Sequence, residues 1–338
     1  MIGQSPAQKK GDSIMPSRRK LMKLILGALP TGAVPALAQG WAPSRQVRMI
    51  VPVAPGGTTD LLGRLLGQRF TDTVGQPVVV ENRAGGAMVV GTDLVAKSAP
   101  DGHTLGILLS THTVNAVAVP NLPYDSVRDF TPIAHLANFP GVLTVHPSVP
   151  VRSVAEFIAY ARANPGKLSY GMPGPGTSGH LTMELLKRRA GLDIVGVSYR
   201  GGGPALNDLV AGHIHVMINS PASSKPHAEA GRIRALATTG SRRSDAFPDL
   251  PTLVEAGQRD VQTYEWYGLF AAAGTPEPIV RYWHAETART LLVPEVRARL
   301  TALGAEVGGG TPEEFAAFLG REREFWAPLI REIGVRIE

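Results

Sequence analysis

From Val47 onward, short runs rich in Val, Ile and Leu alternate with stretches whose apolar residues recur every three or four positions, the pattern of strands followed by helices. Val47–Val53 is predicted as a buried strand that stops at Pro55-Gly56-Gly57. Beyond it Leu61, Leu62, Leu65, Leu66 and Phe70 fall at helical spacing, with Thr58 or Thr59 placed to cap the start. Pro77–Glu81 predicts the next strand, Val89–Ala99 a helix closed by Pro100-Asp101-Gly102, and Thr104–Ser110 another strand. Repeated βα units of this kind build a parallel-leaning sheet, so the fold class is α/β.

The alternation breaks near Leu136–His146, where Thr131–Ala137 and Gly141–Val145 follow one another without a helix between them. This break marks a crossing into a second lobe. There Ser153 is predicted to cap a helix through Ala163, Leu168–Tyr170 forms a strand, and Thr182–Ala190 a helix. Ile194–Tyr199 and Ile214–Ile218 are strands around a helix at Pro204–Ala211, and Ile233–Thr238 is one more strand. Tyr267–Ala272 reads as a strand returning to the first lobe. Three helices with no strand between them (Glu277–Leu292, Pro294–Leu303, Pro312–Ile333) are expected to pack on that lobe's surface. The expected division is a leader at 1–38, lobe one at 39–140 and 267–338, and lobe two at 141–266. A chain that passes between two lobes more than once forms a cleft, where small ligands usually bind.

A composition of 43% hydrophobic and 18% charged residues, with glycine and proline placed between apolar runs, excludes disorder, collagen and coiled coil. The absence of cysteine excludes a disulfide, a thiolate metal site, an iron–sulfur cluster and a cysteine nucleophile. The net charge of +6 is misleading as a nucleic-acid signal. Lys9, Lys10, Arg18, Arg19, Lys20 and Lys23 stand against Asp12 alone in the first 38 residues, which leaves +1 for the other 300, without a basic stripe.

That basic segment reads as an export signal. Arg18–Lys23 is the positive region, Leu24–Pro35 a short apolar core broken by Pro30 and Gly32, and Ala36-Leu37-Ala38 a small-x-small cleavage site. Cleavage there starts the mature chain at Gln39 in the periplasm. Ser17-Arg18-Arg19-Lys20-Leu21-Met22-Lys23 fits a twin-arginine signal as well as a Sec signal, and Met15 is an alternative start to Met1. No stretch reaches the ~20 apolar residues of a membrane-spanning helix.

The strongest chemical feature is Ala54-Pro55-Gly56-Gly57-Thr58-Thr59-Asp60 at the end of the first strand. Its glycines admit a ligand close to the backbone, and the helix start offers unpaired N–H groups to an anion; the structural alternative is a tight turn in which Asp60 serves its own helix. Gly174-Pro175-Gly176-Thr177-Ser178-Gly179-His180 repeats the arrangement in lobe two, and two such junctions facing one cleft would clamp a carboxylate. The second segment also matches G-x-G-x-x-G, but Pro175 sits in the turn and Asp193 precedes the next strand instead of ending it, which argues against a dinucleotide. Ser178 and His180 do not form a nucleophile elbow, since His180 stands where that motif needs glycine. His213 and His215 share a predicted strand face without the carboxylate or third histidine of a metal site. Tyr199-Arg200-Gly201 ends its strand like the first loop, with Arg200 free to meet an anion or solvent. No cofactor, metal or catalytic group is expected.

Taken in order, these segments resemble the Bug-type receptors of tripartite tricarboxylate transporters. The resemblance runs from about Val47 to the C-terminus, through stretches such as Val51–Asp60, Val80–Gly91 with Glu81-Asn82-Arg83, Leu122–Ile133, Gly176–Leu181, Tyr199–Ala205 and Phe247–Gly257. It implies a two-lobed, clam-shell, type II-like periplasmic binding protein that closes on a small organic acid, a mono- or dicarboxylate with aromatic acids and amino acids as alternatives, and presents it to membrane transporter subunits. A sensor kinase is an alternative partner, and an exported hydrolase or lyase a remoter reading. By the same resemblance the ligand contacts are Ala54, Gly56, Gly57, Thr58 and Asp60 in lobe one, and Gly176, Thr177, Ser178 and His180 in lobe two, joined by Tyr199, Arg200 and Gly201. Met172 and Pro173 replace the family's usual small hydroxyl residues, and His215 and Asn219 stand where acids are usual along the strand. These departures point to a more apolar or more anionic ligand.

Overall fold

The computed structural model describes residues 40–337; the expected leader, its cleavage site and Gln39 lie outside the described residues. Its strands form two sheets. The first joins β1 (Val47–Val51), β2 (Val78–Asn82), β3 (Thr104–Leu109), β4 (Phe130–Pro140), β10 (Tyr264–Ala272) and β11 (Glu306–Val307), in the order β11-β4-β10-β3-β1-β2. The second joins β5 (Val142–Val145), β6 (Leu168–Met172), β7 (Ile194–Ser198), β8 (Val216–Asn219) and β9 (Arg234–Thr238), in the order β7-β6-β8-β5-β9.

Both sheets follow one plan. β1 lies parallel to β2 and β3, and β6 lies parallel to β7 and β8. Next to each parallel trio comes an antiparallel strand that arrives from the other lobe: β10 between β3 and β4, β5 between β8 and β9. The strand that leaves each sheet leads into the strand inserted in the other, from β4 through Gly141 to β5, and from β9 through residues 239–263 to β10. Gly141 is needed at its crossing, because a Cβ there would lie 2.6 Å from Ile218 Cγ2.

The first lobe is built around β3, which is buried at all six positions. Against it pack α1 (Thr58–Val74), through Leu62, Leu66 and Phe70 at intervals of four, and α8 (Glu277–Leu292), through Ile279, Val280 and Trp283. α9 (Pro294–Ala302) completes this layer, while α2 (Val89–Ala96) packs on the opposite face of the sheet, where Val95 meets Ile50 and Leu108. Each fully buried Leu or Phe contributes roughly 1.5–3 kcal/mol relative to exposure. In the second lobe α4 (Val154–Ala163), α5 (Ser178–Ala190), α6 (Gly202–Ala211) and α7 (Pro221–Glu229) accompany the strands. Ser153 caps α4 as its sequence predicts, Oγ accepting the Glu156 N–H at 3.1 Å.

Several expectations need correction. α3 (Thr111–Ala118) was not expected, because Thr-His-Thr-Val-Asn carries no apolar stripe. It is buried nonetheless, since its polar groups find partners: Thr113 Oγ1 donates to the Ser110 carbonyl (2.8 Å), Asn115 Nδ2 to the Ala87 carbonyl (2.8 Å), and His112 Nε2 lies 2.9 Å from the Ser126 carbonyl. α7 is likewise too polar to announce itself. β10 begins at Tyr264, so Tyr264, Glu265 and Trp266 belong to the first sheet; the charge at Glu265 interrupts the apolar run that marks the strand. The short β11 separates α9 from α10 (Pro312–Ile333). Finally, α10 does not stay on the first lobe. Its Phe315 joins a first-lobe aromatic cluster with Trp266 and Phe270, whereas Trp326, Leu329, Ile330 and the following Ile337 enter the second lobe's core. No helix among the described residues is long and apolar enough to cross a membrane.

Candidate functional site

Where the two crossings meet the helix starts, the molecule holds a cavity of about 250 Å³. Phe139, Pro140 and Gly141 come from the first crossing, and Thr239, Thr263, Tyr264 and Glu265 from the second. Thr58 stands at the start of α1, Thr177, Ser178 and Gly179 at the start of α5, Gly202 at the start of α6, and Asn219 and Ser220 before α7. Four helix N-termini therefore meet one space. Those of α1, α5 and α6 have no side-chain cap, since Gly57, Thr177 and Gly201 at the N-cap positions accept no helix N–H through a side chain. Thr58 and Thr59 lie inside α1 rather than capping it. The unpaired N–H groups and the positive end of each helix dipole suit an anion. None of the lining residues is Lys, Arg or His.

The two glycine junctions are shaped from behind. Asp60 is buried and accepts from the Gly56 N–H (2.9 Å), Arg64 Nε (3.0 Å) and Asn82 Nδ2 (2.8 Å). Burial acts to raise its pKa, but the bonds from Arg64, Gly56 and Asn82 together outweigh burial and hold it below the usual carboxylate range. Asn82 also donates to the Val53 carbonyl (3.1 Å), and its neighbour Glu81, gripped chiefly by Arg48 and also by Arg83, has its pKa lowered to about 2. Glu81-Asn82-Arg83 thus braces the first loop. In the other lobe His180 Nδ1 accepts the Gly176 N–H at 3.1 Å, and burial lowers its pKa, so the ring is neutral with its proton on Nε2.

A chain of hydroxyl groups ties both crossings to α5. The Gly141 N–H donates to Thr239 Oγ1 (2.8 Å), and Thr239 Oγ1 donates to the Thr263 carbonyl (2.7 Å). Thr182 Oγ1 donates to the Ser178 carbonyl (2.7 Å), which leaves Thr263 Oγ1 to donate to Thr182 Oγ1 (2.8 Å). Each member is buried or half-buried, and the bonds that join the crossings to one another and to α5 link residues 24 or more apart in sequence.

Of the expected ligand contacts the cavity brings together Thr58, Thr177 and Ser178, and Gly179, Pro173 and Asn219, also singled out in the sequence, line it too. Ala54, Gly56 and Gly57 are exposed in the loop leading to it, and Asp60, Gly176 and His180 stand behind its wall. Gly201 is the N-cap of α6. Tyr199 donates its hydroxyl to Asp208 (2.7 Å), with burial first and that bond second raising its pKa to about 12, and Arg200 is exposed. His215 Nδ1 takes the Ser169 N–H (3.0 Å), while His213 is exposed beside Asp208. Sequence reasoning missed Thr239, Thr263, Tyr264 and Glu265. The break after Pro140 located one crossing, but nothing local marks the second. A larger groove of about 600 Å³, between α1 and α9, is floored by Leu61, Leu62, Leu65 and Leu300 and gathers no comparable set of backbone donors.

Comparison with known proteins gives one consistent result. The family described as tripartite tricarboxylate transporter family receptor matches residues 62–335. Protein BugT of Bordetella pertussis is 36% identical over 299 residues, which cover 88% of this chain and 91% of BugT. Among solved structures, R. palustris Rpa4515 with adipate superposes with a TM-score of 0.77 at 38% identity, over 86% of this chain and 98% of that one. MatC from Rhodopseudomonas palustris with bound malate gives 0.73 at 36% identity, over 85% and 99%. The α/β architecture of two sheets is that of periplasmic solute-binding proteins of this kind.

Proposed function

This chain belongs to the tripartite tricarboxylate transporter receptor family, and we propose that it is exported to the periplasm, closes on a small carboxylate in the cavity between its lobes, and delivers it to integral-membrane transporter subunits. The family is one of receptors and not of enzymes. The observation that carries the ligand class is the convergence of the α1, α5 and α6 N-termini, all without side-chain caps, on a cavity without a basic side chain. Adipate in one related structure and malate in another support it.

The magnitudes favour closure as the binding event. Micromolar affinity needs about 8 kcal/mol. One helix terminus gives about 0.3–1 kcal/mol at an exposed site and up to ~2 when partly buried. A carboxylate that meets donors from only one lobe falls short. Charge-assisted bonds of roughly 1.5–3 kcal/mol each, drawn from both lobes, reach that range after the costs of association. Ligand and closed shape then stabilise one another, and the closed shape is what a membrane partner can recognise.

A thermal-shift and calorimetric screen of the purified protein against mono-, di- and tricarboxylates tests this. A ligand at about 100 times its Kd adds about 2.7 kcal/mol and raises the melting temperature by several degrees. Absence of a shift with every acid, after mild unfolding to strip bound ligand, would refute the carboxylate reading.

A further inference from the structure

Glu265 is the acidic side chain among the residues that line the cavity, and the function proposed above gives it no task. It sits on β10 opposite Phe139 of β4, two residues before Tyr267, whose hydroxyl donates to Glu265 Oε2 at 2.8 Å. Among the described residues no hydrogen bond engages Oε1, and no arginine, lysine or histidine pairs with the carboxyl group. Burial pushes its pKa up, against the bond from Tyr267. A carboxyl group so placed is an acceptor held in position without a cation to satisfy it.

The cavity therefore presents two opposite demands. From the second lobe the uncapped starts of α5 and α6 offer N–H donors and positive dipole ends, which suit an anion, whereas the Glu265–Tyr267 pair lies on the first lobe beside Thr58 and Thr59. Glu265 offers an acceptor, which repels a second anion and suits a donor. A simple dicarboxylate satisfies the first demand and violates the second unless a proton is taken up. A molecule with a carboxylate at one end and an N–H donor at the other satisfies both, and its donor fills the position that the protein leaves without a cation.

We propose that Glu265 is a specificity-determining residue that selects, among small carboxylates, those carrying an ammonium group, with the carboxylate on the α5 and α6 termini of the second lobe and the ammonium group on Glu265 of the first. This rests on the reading of the cavity as a carboxylate site. Tyr267 is the positioning residue, fixing one oxygen of Glu265 so that the other meets the ligand.

The test is calorimetry on the purified protein with three pairs of matched chain length, succinate against β-alanine, glutarate against 4-aminobutyrate, and adipate against 5-aminopentanoate. In the unmodified protein the amino acid of the best-fitting pair is expected to bind at least about tenfold more tightly than its dicarboxylate, about 1.4 kcal/mol. In Glu265→Gln, which keeps the shape but loses the charge, that ratio is expected to collapse to within about threefold. Dicarboxylates that bind as well as or better than their partners overturn the assignment while leaving the carboxylate site standing. So does a preference that persists in Glu265→Gln. Failure of all six compounds overturns the assignment of Glu265, while the carboxylate reading falls only if the wider screen above also shows no binding. If the Gln variant does not fold, the ratio in the unmodified protein decides by itself.

Discussion

Asp60 and His180 hold the same place in the two lobes. Each lies three positions after its helix's N-cap, and each accepts the backbone N–H of the glycine just before that cap, Gly56 at 2.9 Å and Gly176 at 3.1 Å. One acceptor is an anion and the other a neutral imidazole, so acid undoes them differently. Asp60, held below the ordinary range by Arg64, Gly56 and Asn82 against the pull of burial, keeps its bond in moderate acid. His180 loses its acceptor as soon as Nδ1 is protonated.

The sign for His180 follows from its depressed pKa. Burial favours the neutral ring in the folded state, whereas the unfolded chain takes up a proton near pH 6.5. The stability it supports is complete above about pH 6.5 and is lost as the pH falls toward the folded value. His112, whose pKa burial lowers to about 4, adds to the same trend. Ligand affinity and melting temperature are both expected to decline between pH 6.5 and 5. In His180→Asn, whose Oδ1 stands in for Nδ1, the affinity is expected to change less over that interval, as titration calorimetry at the two ends would show.

Gly179 and Gly57 look alike in sequence and differ in surroundings. A Cβ at Gly179 would lie 2.6 Å from the Ile218 carbonyl oxygen, a backbone atom that no rotamer change can move, whereas a Cβ at Gly57 meets nothing within 4 Å. Gly179→Ala is expected to cost about 1–3 kcal/mol of stability and, by tilting the α5 N-terminus, to weaken ligand binding more than tenfold. Gly57→Ala is expected to leave the melting temperature unchanged within about a degree. Equal melting temperatures for the two variants would contradict the steric assignment.

Thr239 joins the two crossings. Thr239→Val keeps the volume but strands the Gly141 N–H and the Thr263 carbonyl, which Thr239 Oγ1 now serves. Two buried groups left unpaired are expected to cost about 2–4 kcal/mol, read as a shift of the urea midpoint at unchanged slope.

Ala87 and Met88 stand in left-handed backbone, at φ 50° and 73°, directly before α2. Residues with a Cβ pay roughly 1–2 kcal/mol there. Ala87→Gly is expected to raise stability by about 0.5–1 kcal/mol once the entropy of glycine is subtracted, and thermal unfolding would show it directly.

Much of the architecture was legible because its causes are local. The run Val47–Val51, the Leu62, Leu66 and Phe70 stripe and the Ser153 cap each carry their own signal within a few residues. So do the glycine junctions that put Thr58, Thr177 and Ser178 on the cavity. Thr239, Thr263 and Glu265 carry none. They are ordinary residues until the crossings bring them beside α1 and α5, a juxtaposition that spans 81 residues from Thr182 to Thr263 and 207 from Thr58 to Glu265. The path of α10 was hidden for a related reason. Its amphipathic face announces burial, but not that Phe315 and Trp326, on one helix, belong to different cores.

The insertion of β10 between β3 and β4 also fixes an order of assembly. Every strand of the second sheet has been made by Thr238, before β10 exists. Until Tyr264–Ala272 follows, β3 is paired on one side only, with β1, and β4 has no neighbouring strand. A nascent or translocating chain halted between these points carries one sheet with all its strands and one with a missing slat, whose bare edges invite the wrong strand. The second lobe is thus able to finish its sheet first and the first lobe last, although the first lobe's chain begins first.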